Sequence, residues 1–323
     1  MDQHAPSRHA AQPTDALLRS LFETSADLPI GFELFPPKSP TGREALMQTV
    51  DRLAAVSPEH FSVTMGAGGS SRTGTLETAV TVQRRTGVPV LAHLTALGLD
   101  RETIAETADG FWAGGITRVL ALRGDVPVGQ DPETLPESYD HAADLVGALR
   151  ARHDFDITVA AYPEKHPEAP SLEADIDHLQ EKLDAGASRA MCQFVLNPES
   201  YGRFLDACGG RGITAPIVPG VMPLDGWHKI RRFAVSNGTS VPAWLDRLFE
   251  HMDANPGLAH LTAMAATLEQ MRRLVAYGAP ALHVYALNRW EMPLALAHML
   301  GRPVPLPEPA EGPEANGEGT GER

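Results

Sequence analysis

Eight short apolar segments recur along the chain, each separated from the next by a stretch of helical character, and this alternation constrains the fold more than any other feature. The segments lie at 30–35, 60–65, 89–94, 118–124, 156–162, 189–196, 216–222 and 281–287. They are rich in β-branched residues and almost continuously apolar, which is typical of parallel strands whose sheet is covered by helices. The sequence therefore predicts eight parallel strands.

The intervening segments carry helical periodicity, for example at 76–87, 171–187 and 243–253. In the second of these, Gly186 is suited to end the helix, and four apolar side chains spaced 4, 3 and 4 residues apart share one face: Leu172, Ile176, Leu179 and Leu183. Strand–helix units repeated eight times predict a single (β/α)8 TIM barrel of the α/β class. A doubly wound open sheet would need a glycine-rich turn after its first strand, and PPKSPTG is not one. The long connection 223–280 predicts extra helices between strands seven and eight.

Composition at the two ends of the chain differs from the rest. Residues 1–15 are rich in Ala, His, Gln and Pro, and residues 304–323 consist largely of Pro, Glu and Gly, so we expect two disordered tails around a single barrel domain at 16–303. The N-terminus has neither an apolar signal core nor an Arg-rich import pattern, and no apolar run reaches about 18 residues. We therefore expect a protein that is neither secreted nor membrane-spanning.

Charge and cysteine content limit which binding partners and which cellular compartment we expect for this chain. The formal net charge is −14, with 27 Lys and Arg against 41 Asp and Glu, and no basic block is present, so nucleic acid and anionic membranes are poor candidates as partners. The only cysteines are Cys192 and Cys208, which provide neither a disulfide framework nor a CxxC motif. A reducing cytoplasm fits this content best.

Reactive groups of a (β/α)8 barrel lie at the carboxyl ends of its strands. Polar residues at the predicted ends are Glu33, Thr64, His93, Asp125, Tyr162, Gln193 and the pair Asn288–Arg289. A solvated loop position explains each of these about as well as a functional role. Glu33 and Gln193 stand out because apolar residues flank both, and a polar side chain in such a run must be satisfied or used.

Two further patterns remain ambiguous or weak. The segment MGAGGSSRTGT at 65–75 follows a strand and precedes a helix, so its glycines could cradle a phosphate or could serve only a tight turn. His93 and His166 lie beside predicted strand ends, but neither has a carboxylate or cysteine at ligand spacing, so no metal is expected.

The motifs, taken together, resemble one family. The blocks are FELFPPKS (32–39), SVTMGAGGSSRTGT (62–75), AHLT (92–95), ALRGDVP (121–127), DITVAAYPEKHPEA (156–169), DAGASRAMCQFVLNPESY (184–201), PGVMPL (219–224) and LNRWEMP (287–293). In one register from about residue 29 to 303, they closely resemble the methylenetetrahydrofolate reductases, in a bacterial-type form without the regulatory domain of longer relatives.

This resemblance implies an FAD flavoprotein that reduces 5,10-methylenetetrahydrofolate to 5-methyltetrahydrofolate by ping-pong transfer from NADH or NADPH, in one-carbon metabolism that feeds methionine biosynthesis. Glu33 would be the general acid that opens the folate ring, because a carboxyl between Phe32 and Leu34 is desolvated, which favours its protonated form. Asp125 would favour the cationic iminium form of the folate and oppose a reduced anionic flavin, and Gln193 would hydrogen-bond folate or nicotinamide.

Further residues are assigned by the same resemblance. FAD would contact Thr64, His93, Arg123, Gly124, Asp125, Tyr162, His166, Asp175 and Lys182, and the substrates would contact Glu33, Gln193, Trp227 and Arg289. Met65 and Trp227 stand where the family commonly has Tyr and Phe, and an indole would preserve stacking on a ligand ring. Either Tyr139 or His141 would lie beside the adenine.

Two alternatives remain open within this resemblance. A flavin-independent reductase would pass hydride directly from NAD(P)H to the folate on the same barrel. A non-catalytic folate-binding barrel is a poorer fit, since a binding module needs no general acid. The expected partners are the folate and nicotinamide substrates and further copies of the chain in a homo-oligomer.

Overall fold

The computed structural model describes residues 27–66, 69, 71–126 and 129–304. Eight parallel strands close into a barrel in chain order, and the first strand pairs with the last. The strands are β1 (Ile30–Leu34), β2 (His60–Val63), β3 (Val90–Thr95), β4 (Arg118–Leu122), β5 (Asp156–Ala161), β6 (Arg189–Phe194), β7 (Ile217–Val221) and β8 (Leu282–Tyr285). The predicted (β/α)8 barrel is confirmed, and closure excludes the doubly wound sheet.

Helices surround the barrel and supply the predicted additions. They are α1 (Pro40–Ala54), α2 (Arg72–Thr86), α3 (Arg101–Ala113), α4 (Ala142–Arg152), α5 (Leu172–Asp184), α6 (Pro198–Gly210), α7 (Trp227–Ser236), α8 (Ala243–Phe249), α9 (Pro256–Ala276) and α10 (Glu291–Met299). Between β7 and β8 lie α7, α8, a short 3-10 helix at Met252–Ala254, and α9, which confirms the extra helices there. No described helix is both long and apolar enough to cross a membrane.

Local sequence signals set the starts and ends of these helices. The side chain of Ser39 caps α1 by accepting from the Gly42 N–H at 3.0 Å, and Asp100 caps α3 by accepting from the Thr103 N–H at 2.7 Å. Gly186 follows the end of α5 with φ +117°, a conformation that favours glycine and agrees with its predicted role.

The two faces of the strands differ more than the near-continuous apolar runs predict. Residues such as Phe32, Phe61 and Val284 point outward and pack in the large core between barrel and helices. The register places Glu33 beside Ser62 and Tyr285, on the opposite, inward face. In strands β1, β2, β3 and β8, apolar side chains therefore point outward and mostly polar side chains point inward. The mouth of a filled barrel is lined by functional side chains as well as by side chains that only pack it.

The barrel interior is divided into an apolar side and a polar side. Leu91, Leu120 and Met191, with Leu122, form a small apolar cluster separate from the large core. The other side holds Glu33, His60, Ser62, His93 and His283. The two expected tails fall outside the described residues apart from Val304.

Candidate active site

Glu33 lies on the inward face of β1, with its carboxyl directed into the polar side of the barrel. Its Oε2 is 3.3 Å from Nε2 of His283 and 3.6 Å from Nε2 of His93. The Glu33 side chain is 16% exposed, so solvent reaches it only in part. A carboxyl in this position can exchange a proton with a ligand that occupies the barrel mouth.

His93 is a neutral neighbour of Glu33 near neutral pH. Burial lowers the pKa of His93 to about 4, and the negative charge of Glu33 offsets only part of that effect. Nε2 of His93 is buried and has no hydrogen-bond partner among the described residues. The imidazole therefore borders the mouth with an unused polar atom.

Gln193 lies on the opposite side of the mouth, on β6, and Tyr285 fixes its orientation. The Tyr285 hydroxyl donates to Oε1 of Gln193 at 3.4 Å, and the Phe194 N–H donates to the same oxygen at 2.9 Å. Because both bonds occupy the oxygen, the amide NH2 group is left to donate to a ligand. Burial holds the pKa of Tyr285 well above its usual range, so this hydroxyl stays a donor. Gly220 makes room for the Tyr285 ring, since a Cβ there would lie 2.9 Å from Cε2.

A second group of predicted residues gathers where β4 and β5 end. The Arg123 guanidinium lies 2.7 Å from the Glu168 carboxylate, and the Tyr162 ring packs edge-on against His166 at 4.7 Å. Burial raises the pKa of Tyr162 to about 12, and the nearby charge of Asp125 adds to the effect. Asp125 itself is exposed. The structure thus brings these side chains together on one flank of the mouth.

Helix α5 places two charged residues against this flank. Asp175 accepts from the His166 N–H at 2.8 Å, and Nζ of Lys182 donates to the Ala160 carbonyl at 2.6 Å. Both side chains are buried. Burial lowers the pKa of Lys182 to about 8, with Asp175 acting in the opposite direction, so the amine remains mostly protonated at neutral pH.

The backbone at Gly124 passes close to the Thr95 side chain at the end of β3. Gly124 has φ +87°, and a Cβ there would lie 3.0 Å from Cβ of Thr95. The buried Oγ1 of Thr95 has no partner among the described residues. Half-buried Thr64 follows β2 nearby, and its carbonyl accepts from Oγ1 of Thr75 at 2.8 Å.

Two predicted substrate residues are not brought to these groups. Trp227 is 5% exposed, its indole stacks on Phe249 at 5.2 Å, and its Nε1 donates to Asp246 at 3.2 Å, so its ring is packed in the protein. Arg289 is exposed and lies 3.9 Å from Asp225. An aromatic face is instead offered by Phe233 on α7, which is 47% exposed.

Three functional candidates were not singled out from the sequence. Phe233 stacks on Phe194, the neighbour of Gln193, at 5.4 Å. His283 and Tyr285 stand two residues apart in the last apolar run, a spacing that puts both on one face of a strand. Treating that run as alternating would have identified both as inward-facing.

The glycine-rich segment and the two adenine-side candidates, Tyr139 and His141, make contacts within the protein that do not test their predicted roles. Oγ of Ser71 accepts from the Gly66 N–H at 2.8 Å, which is a turn-stabilising bond; residues 67, 68 and 70 lie outside the description. The Arg101 guanidinium lies 5.1 Å from the centroid of half-buried Tyr139, and exposed His141 stacks on His178 at 6.3 Å. Both adenine-side candidates remain predictions.

The residues of the second group fit a dinucleotide with a pyrophosphate. Arg123 and Lys182 supply positive charge, and the orphaned atoms of His93 and Thr95 offer unused polar contacts. Within the described ranges, no group of three His, Cys, Asp or Glu side chains is arranged to hold a metal ion.

The family model and similar known sequences identify the same family. The sequence model of the family described as methylenetetrahydrofolate reductase matches residues 18–301. The 5,10-methylenetetrahydrofolate reductases of Pectobacterium carotovorum and Salmonella typhimurium are each 39% identical over 293 residues, covering 91% of this chain and 96% and 97% of theirs. Methylenetetrahydrofolate reductase (NADH) 1 of Arabidopsis thaliana is 35% identical and covers 80% of this chain, with 45% of its own length matched.

A solved structure resembles the fold at lower identity. It is an uncharacterized Clostridium thermocellum protein described as binding two copies of 5-methyl-5,6,7,8-tetrahydrofolic acid, with a TM-score of 0.57 and 13% identity. The match covers 90% of this chain and 97% of that one. At this identity the likeness concerns the barrel alone.

Proposed function

The chain belongs to the methylenetetrahydrofolate reductase family, and we propose that it reduces 5,10-methylenetetrahydrofolate to 5-methyltetrahydrofolate with NADH or NADPH through bound FAD. The observation that carries this proposal is the Glu33 carboxyl, which lies in a partly enclosed barrel mouth opposite Gln193. The named relatives support an oxidoreductase. The product would supply methyl groups for methionine synthesis in the cytoplasm.

Glu33 is the proton donor in this proposal. Opening the five-membered ring of the folate requires a proton on the nitrogen that leaves the bridging carbon, and a carboxylic acid at the mouth can deliver it. The polar contacts of Oε2 hold the carboxyl toward the barrel interior, so the donor is oriented before the ligand arrives. Ring opening leaves a cationic iminium, which is the form that can accept hydride.

Gln193 and Asp125 orient and stabilise the ligand in this proposal. The Gln193 amide NH2 can hydrogen-bond a carbonyl of folate or nicotinamide, because Tyr285 and the Phe194 N–H occupy the amide oxygen. Asp125 provides negative charge on the same side as Tyr162, and that charge favours the iminium. Its exposure leaves the carboxylate accessible to a ligand.

The second group would hold the flavin. Arg123 and Lys182 would meet the pyrophosphate, and Gly124 would contact the cofactor through its backbone. The Glu168 carboxylate that pairs with Arg123 is exposed, so a pyrophosphate could displace it from the guanidinium. A bound flavin would supply two-electron redox chemistry, which lets nicotinamide and folate react in turn at one site.

The test is an anaerobic absorbance measurement near 450 nm on the purified protein, before and after NADH or NADPH and then methylenetetrahydrofolate. We expect a yellow protein that bleaches with a nicotinamide and regains its colour with the folate. A protein that takes up no FAD yet oxidises NAD(P)H when folate is present would overturn the cofactor assignment in favour of direct transfer.

Glu33→Gln separates the two half-reactions in the same measurement. We expect bleaching by NAD(P)H to be retained and recovery with the folate to slow by roughly 10²–10⁴-fold, the usual contribution of a general acid. Glu77→Gln is the matched control, because that carboxylate lies on the outer surface beside Arg43. Unimpaired recovery in Glu33→Gln would remove Glu33 from the mechanism.

A further inference from the structure

The Glu33 carboxyl has two imidazole neighbours, and both meet the same oxygen. Nε2 of His283 is 3.3 Å from Oε2, within hydrogen-bonding reach, whereas Nε2 of His93 is 3.6 Å away and makes no hydrogen bond. Oε1 takes part in neither contact. The two carboxyl oxygens therefore have different surroundings, and His283 is the side chain that distinguishes them.

His283 is held rigidly in the barrel interior. Its side chain is fully buried, its ring stacks on His60 at 5.6 Å, and the Tyr285 ring meets it edge-on at the same distance. Nε2 also lies 3.4 Å from Oγ of Ser62. Packing on these sides leaves the imidazole little freedom to turn.

His60, which stacks on His283, is itself anchored at the other end of the barrel. Nδ1 of His60 lies 3.5 Å from Oε2 of Glu59, and the other oxygen of Glu59 accepts from Arg189 at 2.9 Å. His60 also occupies the space over Gly31, where a Cβ would come within 2.4 Å of its ring. A column of contacts thus runs from Arg189 through Glu59 and His60 to His283.

The column buries unpaired nitrogen atoms, and the resulting loss of stability is not offset by packing alone. Nδ1 of His283 and Nε2 of His60 are buried and have no partner among the described residues. Apolar side chains of similar volume would fill the same space without unpaired nitrogens, as Leu91, Leu120 and Met191 do on the other side of the interior. The arrangement is therefore better explained by what His283 does for Glu33.

We propose that His283 is a positioning residue for Glu33, donating from Nε2 to Oε2 so that Oε1 is the oxygen that carries and releases the proton. This inference rests on the proposed function, in which Glu33 protonates the folate. It predicts that an amide at position 283 can replace the imidazole and that a hydrocarbon cannot.

The test compares His283→Gln with His283→Leu in the FAD-loaded protein, following the two half-reactions separately. We expect His283→Leu to slow colour recovery with methylenetetrahydrofolate by about 100-fold, the effect of a misplaced catalytic group, while bleaching by NAD(P)H changes little. His283→Gln, which keeps a donor, should restore most of the rate. Equal rates in wild type and His283→Leu, or equal losses in both variants, would overturn the proposal.

His298→Leu is the matched control, because it makes the same imidazole-to-hydrocarbon change at an exposed side chain of α10, outside the column. We expect its folate half-reaction to stay within a few-fold of wild type, and a loss as large as that of His283→Leu would show that the effect does not come from the contact with Glu33. Wild-type protein that never regains colour with the folate would instead contradict the proposed function, so the two failures are distinct.

A measurement without cofactor or substrate tests the contact itself. In the apoprotein, the shifts in melting temperature caused by Glu33→Gln and His283→Leu should not add in the double variant, because the two side chains interact. The pair Glu33→Gln and His298→Leu, whose side chains share no partner, should add. Additive shifts in the first pair would show that His283 and Glu33 do not interact, against the proposal.

Discussion

Gly31 is the residue whose small size most directly shapes the interior of the site. It faces inward on β1 beside His60, and a Cβ there would lie 2.4 Å from two atoms of the His60 ring. His60 is pinned between its stack on His283 and its contact with Glu59. The ring therefore cannot give way without disturbing the column that supports Glu33.

Gly31→Ala should destabilise the protein by about 1–3 kcal/mol, the usual penalty for inserting a carbon into a filled core. Urea unfolding of the apoprotein measures it. Gly147→Ala is the control, since Gly147 lies within α4 and a Cβ there would meet nothing within 4 Å; we expect it to stabilise by about 0.5–1 kcal/mol. Equal effects of the two substitutions would contradict the close fit of His60 over Gly31.

Sequence alone identifies single residues where a polar group interrupts an apolar run. Glu33 and Gln193 were predictable on that ground, and the structure places both at the mouth. The strand-end pattern does not identify His283, because this residue lies within β8 and not at its end. Trp227 was assigned from the family pattern, and its burial depends on the packing of α7 against α8, which no local pattern reveals.

At the scale of elements, α5 connects local sequence to the proposed cofactor flank. Ser171 caps the helix by accepting from the Ala174 N–H at 3.2 Å. Asp175, in the first turn of the helix, accepts a hydrogen bond from the His166 N–H, and Lys182 lies two turns further along. The position of both charged side chains therefore depends on where the helix begins.

Ser171→Ala should cost about 1 kcal/mol of unfolding free energy, because the first turn loses its side-chain acceptor. Thermal unfolding of the apoprotein at several urea concentrations measures the change. Ser171→Asp keeps an acceptor at the same position and should retain most of the stability. If both variants lose the same amount, the cap oxygen is not the source of the effect.

The strands were predictable as elements, whereas their inward faces were not. Each predicted strand lies within two residues of the observed bounds, because β-branched apolar runs bounded by helical segments leave few other assignments. Which alternate residues face inward depends on closure between β1 and β8 and on the register of every neighbour. That information is distributed over the whole chain.

At the scale of the whole molecule, the polar side of the barrel interior couples stability to pH. Burial lowers the pKa of His93 to about 4 and also lowers the pKa of His60, whereas both are expected to titrate near 6.5 in the unfolded chain. The contact with His60 holds the pKa of Glu59 near 2. All three groups bind protons more readily after unfolding, so the folded barrel loses stability as pH falls.

For His93 the pH window follows from the two pKa values. Above pH 6.5 the imidazole is neutral in both states, and between pH 6.5 and 4 only the unfolded chain takes up the proton, so the free energy of unfolding falls by about 3 kcal/mol across that range. Urea unfolding of the apoprotein at pH 7 and pH 4 should show this loss in wild type. His93→Gln cannot titrate and should show a correspondingly smaller loss, whereas His228→Gln, which changes an exposed imidazole, should behave as wild type. Identical losses in wild type and His93→Gln would mean that His93 is protonated in the folded barrel at no cost, against the burial that the structure gives it.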